Sequence, residues 1–302
     1  YHCRIDLIYK YIKDINYMDV GEEEKVSIFS NEGYYYYFAL KMNACTYEFN
    51  ENEEIVNQGY IRQMADWSPT DPFKDKELMA DFAKKSNFRA FYKENKPYYD
   101  ELIATYKTLN PISQMQTWLD KKFGFTYGNY TIYFSPLVSG AHSTEGFDTE
   151  EFRQTFMFIA CAERDEAYSE TMNELLESRV VFTEIDHNYV NPTSDKYLTQ
   201  INSIFSDRKK WLNEELTTAY ETPFKVFNEY MTFAVYTLYI SDLYDEKDWQ
   251  EYLPKMEGQM KDARGFIKFE AFKKTLLKYY QANPNKTMEE YYDFILGWSE
   301  KQ

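Results

Sequence analysis

The sequence of 302 residues is poor in cysteine, proline, glycine and basic side chains. Its three cysteines, Cys3, Cys45 and Cys161, include no CxxC and no close pair, which excludes a disulfide framework. Ten glycines and nine prolines are too few for the many turns of a β-sandwich or a propeller. There is no run of about 18 or more apolar residues, so we expect no transmembrane segment.

The charge balance is strongly acidic, because 34 Lys and Arg face 50 Asp and Glu and leave a net charge of −16. A surface of this sign repels phosphate backbones and anionic lipid head groups, which disfavours nucleic-acid partners and a polybasic membrane anchor. Aromatic residues are abundant, with 30 Tyr and 23 Phe, and this content excludes a disordered chain. Together these features favour a helix-rich globular protein.

Apolar residues with helical spacing predict helices in five early segments, namely residues 5–12, 33–42, 78–91, 98–109 and 112–123. Residues 125–134 are β-branched and aromatic, which predicts a strand or hairpin, and residues 152–162 form a second, apolar strand. The sequence thus predicts a predominantly helical α+β fold with a short β block around residues 125–162.

Beyond Arg164 the pattern is helical to the end of the chain, with breaks at Asn191-Pro192, Thr222-Pro223 and residues 283–285. One helix is expected to cover residues 180–189 and to end near Asn191-Pro192. No repeat or linker divides the sequence. We therefore predict a single domain over residues 1–302, with a helical part at 1–124 and the β block and later helices at 125–302.

One stretch has a chemical pattern: Thr183-Glu184-Ile185-Asp186-His187 matches the zinc-binding sequence H-E-x-x-H except at its first position. On a helix, residues 183 and 187 lie about 40° apart, and Glu184 lies about 60° to the side. Two ligands in such positions face the same way, and the carboxylate stands beside the water that they hold. The alternative is an ordinary Glu-His pair on a helix surface.

Glu229 is the only charged residue in the apolar segment 226–241. Its neighbours at helical spacing, Val226 and Phe233, are apolar, so its carboxylate is expected to face the interior. A buried carboxylate is costly unless it is paired or bound to metal. Glu229 is therefore either a metal ligand that acts with His187, or a buried glutamate paired with a Lys, an Arg or a Tyr.

These features together resemble a known family. The stretch from Glu184 to Pro192, the later Glu229-Tyr230, and the loop that begins at Phe134 are similar to secreted bacterial zincin-like proteins catalogued as a domain of unknown function, the DUF4932 type. Residues 5–17 and 88–93 are also similar, so the resemblance covers nearly all of the chain. It implies a zincin-like metallopeptidase fold, a peptide or protein substrate, and an extracellular or periplasmic location.

The resemblance also implies roles for single residues. Glu184 corresponds to the general base, His187 to the second zinc histidine and Glu229 to the downstream zinc ligand, and Tyr230 is a further candidate. Thr183 stands at the place of the first zinc histidine, and threonine is not an ordinary ligand of zinc, which takes three protein ligands in catalytic sites.

Two residues are candidates to replace the missing ligand: Asp186, which points about 100° away from His187 on a helix, and His142, in the loop that follows the predicted strand. We expect zinc binding to be weak or absent, and we expect Thr183→His to raise zinc affinity by orders of magnitude.

Three functions remain open. The chain is a degenerate zincin that uses its groove for binding, a working metallopeptidase completed by water, Asp186 or His142, or an acidic, Tyr-rich extracellular module that binds glycans or proteins.

Overall fold

The structure, a computed structural model, describes residues 47–57, 76–134, 143–148, 153–159, 162, 164–217 and 219–302. The helices predicted at residues 5–12 and 33–42 lie outside these residues. Contacts divide the chain into two compact units, each described here by itself: Tyr1–Ala104 with Gly128–Cys161, and Thr105–Tyr127 with Ala162–Gln302. The single domain remains a prediction.

The first unit contains a hairpin, helices and a mixed sheet. Its elements are β1 (Tyr47–Phe49), β2 (Ile55–Asn57), α1 (Lys76–Lys85), most of α2 (Phe88–Leu109), β3 (Asn129–Phe134), β4 (Ser143–Asp148) and β5 (Arg153–Ile159). Strands β1 and β2 are antiparallel, and in the sheet of order β3-β5-β4 the central strand runs parallel to β3 and antiparallel to β4.

Strands β3 and β5 confirm the predicted β block, whereas β4 and the β1-β2 hairpin were not predicted. Residues 156–159 of β5 are buried, which explains the apolar run seen in its sequence. In contrast, β4 reads Ser-Thr-Glu-Gly-Phe-Asp and is an edge strand, which carries little apolar signal. Strands of three residues are too short to show alternation.

The second unit is helical. Its elements are α3 (Ile112–Phe123), α4 (Glu170–Asp195), α5 (Leu198–Ile204), a 3-10 turn (Arg208–Lys210), α6 (Pro223–Leu243), α7 (Glu246–Gly258), a π-helical turn (Gln259–Ala263), α8 (Phe269–Ala282) and α9 (Met288–Ser299). Every residue from 226 to 240 of α6 is buried, and this central helix packs against α4, α5, α7 and α8.

The predominantly helical α+β class is confirmed, and several helix ends are where the sequence predicts them. Gly124 ends α3 with φ 74°, a left-handed conformation that glycine adopts without strain. The Thr222 side chain accepts a hydrogen bond from the backbone N–H of Lys225 and caps α6, whose first residue is Pro223. None of the described helices is both long enough and apolar enough to cross a membrane.

The predicted break at Asn191-Pro192 is wrong, because α4 continues through Pro192 to Asp195. Side chains stabilise this turn: the Thr193 hydroxyl donates to the carbonyl of Tyr189 at 2.8 Å, and the Tyr292 hydroxyl donates to the carbonyl of Val190 at 3.2 Å. Tertiary packing therefore outweighs the local preference of proline to end a helix.

Tyrosine hydroxyls connect helices of the second unit through carboxylates. Examples among the described residues are the hydrogen bonds from Tyr189 to Asp120 at 2.6 Å, from Tyr244 to Glu174 at 2.6 Å, and from Tyr280 to Asp242. Each donor and its acceptor come from different parts of the chain, so part of the high tyrosine content serves to link elements through acidic side chains.

Candidate functional site

The candidate residues lie on two helices that pack against each other. The predicted helix at residues 180–189 is confirmed as part of α4. Ser178 of α4 is hydrogen-bonded to Tyr236 of α6 at 3.0 Å, whereas His187, further along α4, faces the earlier residue Glu229. The two helices are therefore antiparallel, and this arrangement brings the two predicted ligands, His187 and Glu229, together.

Glu229 is engaged on both carboxylate oxygens. Its side chain is only 9% exposed. One oxygen forms an ion pair with the guanidinium of Arg264, and the other lies 3.9 Å from Nε2 of His187. Of the two explanations that the sequence left open, pairing with a basic residue is the one seen.

The backbone around Arg264 aims its side chain at Glu229. Arg264 directly follows the π-helical turn, and its N–H donates to the carbonyl of Gln259 at 3.2 Å. Gly265 has φ 81°, and an added Cβ there would lie 2.8 Å from the carbonyl oxygen of Asn213. Position 265 thus requires glycine, both for its backbone conformation and because the backbone at Asn213 approaches it closely.

The Arg264 guanidinium is also held by two aromatic rings. Its Cζ lies 5.0 Å from the centroid of Phe233 and 5.7 Å from that of Tyr220, whose hydroxyl accepts a hydrogen bond from it. Burial alone would lower the pKa of Arg264, but Glu229, Tyr220 and Glu184 outweigh it, and the net pKa is raised. Arg264 is a permanent cation at this place.

The remaining residues of the motif make local contacts. The Thr183 hydroxyl donates to the carbonyl of Val180 at 3.1 Å, within its own helix. His187 is partly exposed, and its Nδ1 lies 3.4 Å from Oδ1 of Asn191. Glu184 is half-buried and close enough to Arg264 to contribute to its raised pKa.

Asp186 is fully buried, and within the described part of the chain neither of its carboxyl oxygens has a hydrogen-bond partner. Burial raises its pKa well above the usual value, and the charges of Glu229 and then Glu184 add to this effect. Asp186 therefore holds its proton more tightly than an ordinary aspartate, which disfavours the deprotonated form that a zinc ligand needs.

Tyr230 does not enter this cluster. Tyr230 is buried, and its hydroxyl donates to the carbonyl of Trp211 at 2.6 Å and accepts from the N–H of Lys268 at 3.0 Å, so it holds two backbone segments. His142 lies outside the described residues.

A zinc ion can be tested against this donor set. Two ligands of one tetrahedral zinc lie roughly 3.4 Å apart at ordinary bond lengths, so the 3.9 Å between His187 and Glu229 is close to a suitable spacing. The other positions do not fit, because Thr183 offers no imidazole and the Arg264 cation occupies the Glu229 carboxylate. No group of three or more His, Cys, Asp or Glu among the described residues could hold a metal ion.

Sequence reasoning missed Arg264 and Tyr220 as members of the cluster. The signal available was Glu229 itself, since a lone charge in an apolar helix requires a partner. That signal does not reveal which basic residue supplies the charge, because Arg264 comes from a later turn of the chain.

Comparison of the chain with protein-family models, with curated proteins and with solved structures gave no match.

Proposed function

We propose that the chain is a degenerate zincin-like protein, extracellular or periplasmic, in which an internal ion pair takes the place of a catalytic zinc site. The observation that carries the proposal is the contact between Arg264 and Glu229. In this proposal the surface around His187 binds a peptide or protein segment and does not cleave it.

The charge of Arg264 supports this function over catalysis. A zincin needs a divalent ion to lower the pKa of the attacking water and to polarise the substrate carbonyl. A guanidinium bound to Glu229 neutralises that carboxylate and repels a second cation at short range. Glu184, the residue at the general-base position, then lies beside a fixed cation and has no metal-bound water to deprotonate.

The working-enzyme alternative needs a third ligand, and Asp186 is a poor one. Its carboxyl group is buried, and its raised pKa disfavours loss of the proton. A metal ligand must be deprotonated, so the environment of Asp186 favours the degenerate site.

The test is metal analysis and peptide cleavage on the purified full chain. After dialysis without metal, we expect no stoichiometric zinc, and we expect no cleavage of a mixed peptide library. Glu184→Gln is the matched control, because it keeps size and shape but removes the base. Chelator-sensitive cleavage that disappears in Glu184→Gln would refute the proposal and establish the metallopeptidase.

Binding is measured separately, on an array of immobilised peptides. We expect a subset of peptides to be retained by the wild-type chain and lost on His187→Ala, since His187 is a partly exposed member of the cluster. Unchanged retention on His187→Ala would contradict a binding role for this surface.

A further inference from the structure

The first unit contains a cleft of about 350 Å³ between the β1-β2 turn and the corner where α1 meets α2. This volume is in the range of small-ligand sites. Phe49 contributes an aromatic ring to its wall, and the rest of the lining is mainly polar. The cleft is independent of the charged cluster around Glu229, which belongs to the other unit.

One wall of the cleft is a turn with its own internal hydrogen bonds. The side-chain oxygen of Asn50 accepts from the backbone N–H of Asn52 and from that of Glu54, each at 2.9 Å. Glu53, between them, has φ 63°, an uncommon conformation for a residue other than glycine. The turn is therefore fixed in shape before any ligand arrives.

Arg89 of α2 connects this turn to the helices. Its Nη2 donates to the carbonyl of Asn50 at 3.2 Å, its Nε lies 3.8 Å from the Glu53 carboxylate, and its Cζ lies 5.3 Å from the centroid of the Phe49 ring. The Arg89 side chain thus contacts both walls. A cleft that is already formed binds a ligand with less loss of conformational freedom in the protein.

Three lining side chains keep their polar groups available. Asn52, Lys84 and Asn87 have no side-chain hydrogen bond or ion pair within the part of the chain that the structure describes. The two lining carboxylates are engaged, since Glu53 faces Arg89 and Asp81 pairs with Lys85 at 2.6 Å. The charges that line the cleft are balanced, with Lys84 and Arg89 against Glu53 and Asp81.

The balance of donors and acceptors selects the chemistry of the ligand. An anion only accepts hydrogen bonds, and it would meet two carboxylates and the amide oxygens of Asn52 and Asn87. A cation only donates, and it would meet Lys84 and Arg89. A hydroxyl group donates and accepts at once, so a neutral ligand with many hydroxyl groups matches the whole lining.

Two exposed aromatic rings lie on α2, the helix that contributes Arg89 to the cleft. Phe88 lies between the lining residues Asn87 and Arg89 in sequence and is 39% exposed, and Tyr92, one helical turn later, is 49% exposed. Their ring centroids are 6.4 Å apart with an interplanar angle of 29°. Such rings offer flat apolar area to the C–H faces of a sugar.

We propose that this cleft is a binding site for a neutral saccharide, with Asn52 and Asn87 hydrogen-bonding to its hydroxyl groups and Phe88 and Tyr92 as the platform for further sugar units. The site is separate from the proposed zincin-like function and does not depend on it.

The experiment is a calorimetric titration of the full chain with cellotetraose and N-acetylchitotetraose, and with tetragalacturonate as the anionic counterpart. We use Asn52→Ala and Asn87→Gly, because Asn87 has φ 52° and glycine keeps that backbone conformation. Asn202→Ala, an exposed asparagine in α5, is the matched control. Circular dichroism confirms that each variant is folded.

We expect at least one neutral tetrasaccharide to bind, Asn202→Ala to behave as wild type, and each cleft variant to bind about five- to tenfold more weakly, the effect of one lost hydrogen bond. Three results overturn the proposal: binding of tetragalacturonate alone, neutral-sugar binding that the cleft variants leave unchanged, and no neutral binding up to about 10 mM ligand.

Discussion

The guanidinium of Arg264 is bound to the carboxylate of Glu229, and this contact determines the chemistry available between α4 and α6. Glu229 is buried in the central helix, where an unpaired carboxylate would be costly. Arg264 supplies the compensating charge from outside that helix. The residues that resemble a zinc site therefore surround a cation that belongs to the protein itself.

This relationship changes the expected effect of restoring the first histidine. Thr183→His alone should raise zinc affinity only slightly, because Arg264 still occupies Glu229. The double variant Thr183→His/Arg264→Gln should bind zinc at least roughly 10- to 100-fold more tightly than the single variant. Competition with a colorimetric zinc chelator measures the zinc affinities of the single and the double variant, and Arg264→Gln alone is the control. Equal affinity of the single and double variants would show that Arg264 does not compete with zinc.

Removal of Arg264 should also destabilise the fold. Arg264→Ala removes the ion-pair partner of the buried Glu229 carboxylate, and we expect the free energy of unfolding to fall by about 2–3 kcal/mol, below the usual range for buried pairs because Arg264 is partly exposed. In Arg264→Ala/Glu229→Gln no charge is left unpaired, so the double variant should recover part of this loss. Urea denaturation of the wild type, Arg264→Ala, Glu229→Gln and the double variant gives the coupling energy, and strictly additive losses would contradict a direct pair.

Asp186 should make the fold less stable as the pH rises. Its pKa in the folded state is above the ordinary value of 3.8 for aspartate, so the unfolded chain releases the proton first. The contribution of Asp186 to the free energy of unfolding is fully present below the pKa of the unfolded chain. As the pH rises above that pKa, the free energy of unfolding declines by about 1.4 kcal/mol per pH unit until Asp186 also titrates in the folded protein. Asp186→Asn should flatten this decline. The stability of the variant relative to wild type should therefore be higher at pH 7 than at pH 4.

Melting curves from pH 4 to pH 8 test this prediction. Asp262→Asn, an exposed substitution in the π-helical turn, is the control and should keep the wild-type slope. Parallel profiles for wild type and Asp186→Asn would show that Asp186 is ionised in the folded protein.

The hydroxyl of Tyr280 should contribute to stability through Asp242. Burial would raise the pKa of Asp242, but hydrogen bonds from Tyr280, Trp118 and Lys122 outweigh it and lower the pKa. Tyr280→Phe should cost about 1–2 kcal/mol at pH 7, the lower part of the range for a bond to a charged group because the Asp242 side chain is 32% exposed. Because a lowered pKa stabilises the fold only above it, this cost should decrease as acid protonates Asp242.

Chemical denaturation at pH 7 and pH 3 measures both effects. Tyr279→Phe is a matched control, since Tyr279 is the next residue and packs through its ring on Phe294, with centroids 3.7 Å apart. A similar loss in the two variants would mean that the hydroxyl of Tyr280 is not responsible.

The predictions from sequence were reliable where local chemistry decides the structure. Gly124 and Thr222 end and begin helices because their own side chains, or the lack of one, satisfy the backbone there. Pro192 was misleading because Thr193 and Tyr292 stabilise the turn around it, and the contact with Tyr292 comes from a distant helix.

The candidate site shows the same division. The helix that carries Glu184 and His187 and the burial of Glu229 follow from residue spacing along single helices. The identity of the partner does not, because Arg264 is positioned by a π-helical turn and by Gly265 against Asn213, features of tertiary packing. The raised pKa of Asp186 likewise depends on burial and not on its place in the motif.

The hydrogen bonds from tyrosine to acidic side chains have a consequence for how this protein behaves in solution. A phenol holds a carboxylate in place without cancelling its charge, whereas a lysine would neutralise it. Burial raises the pKa of Tyr244 and of Tyr280 above the usual value, so these donors stay uncharged under physiological conditions. The link between Tyr244 and Glu174 is thus less sensitive to ionic strength than an ion pair would be, whereas the link between Tyr280 and Asp242 includes the cation of Lys122, 3.0 Å from Asp242. Mutual repulsion between molecules, set by the net charge of −16, weakens as salt is added. Added salt should therefore weaken the repulsion between molecules more than it weakens the contact between Tyr244 and Glu174.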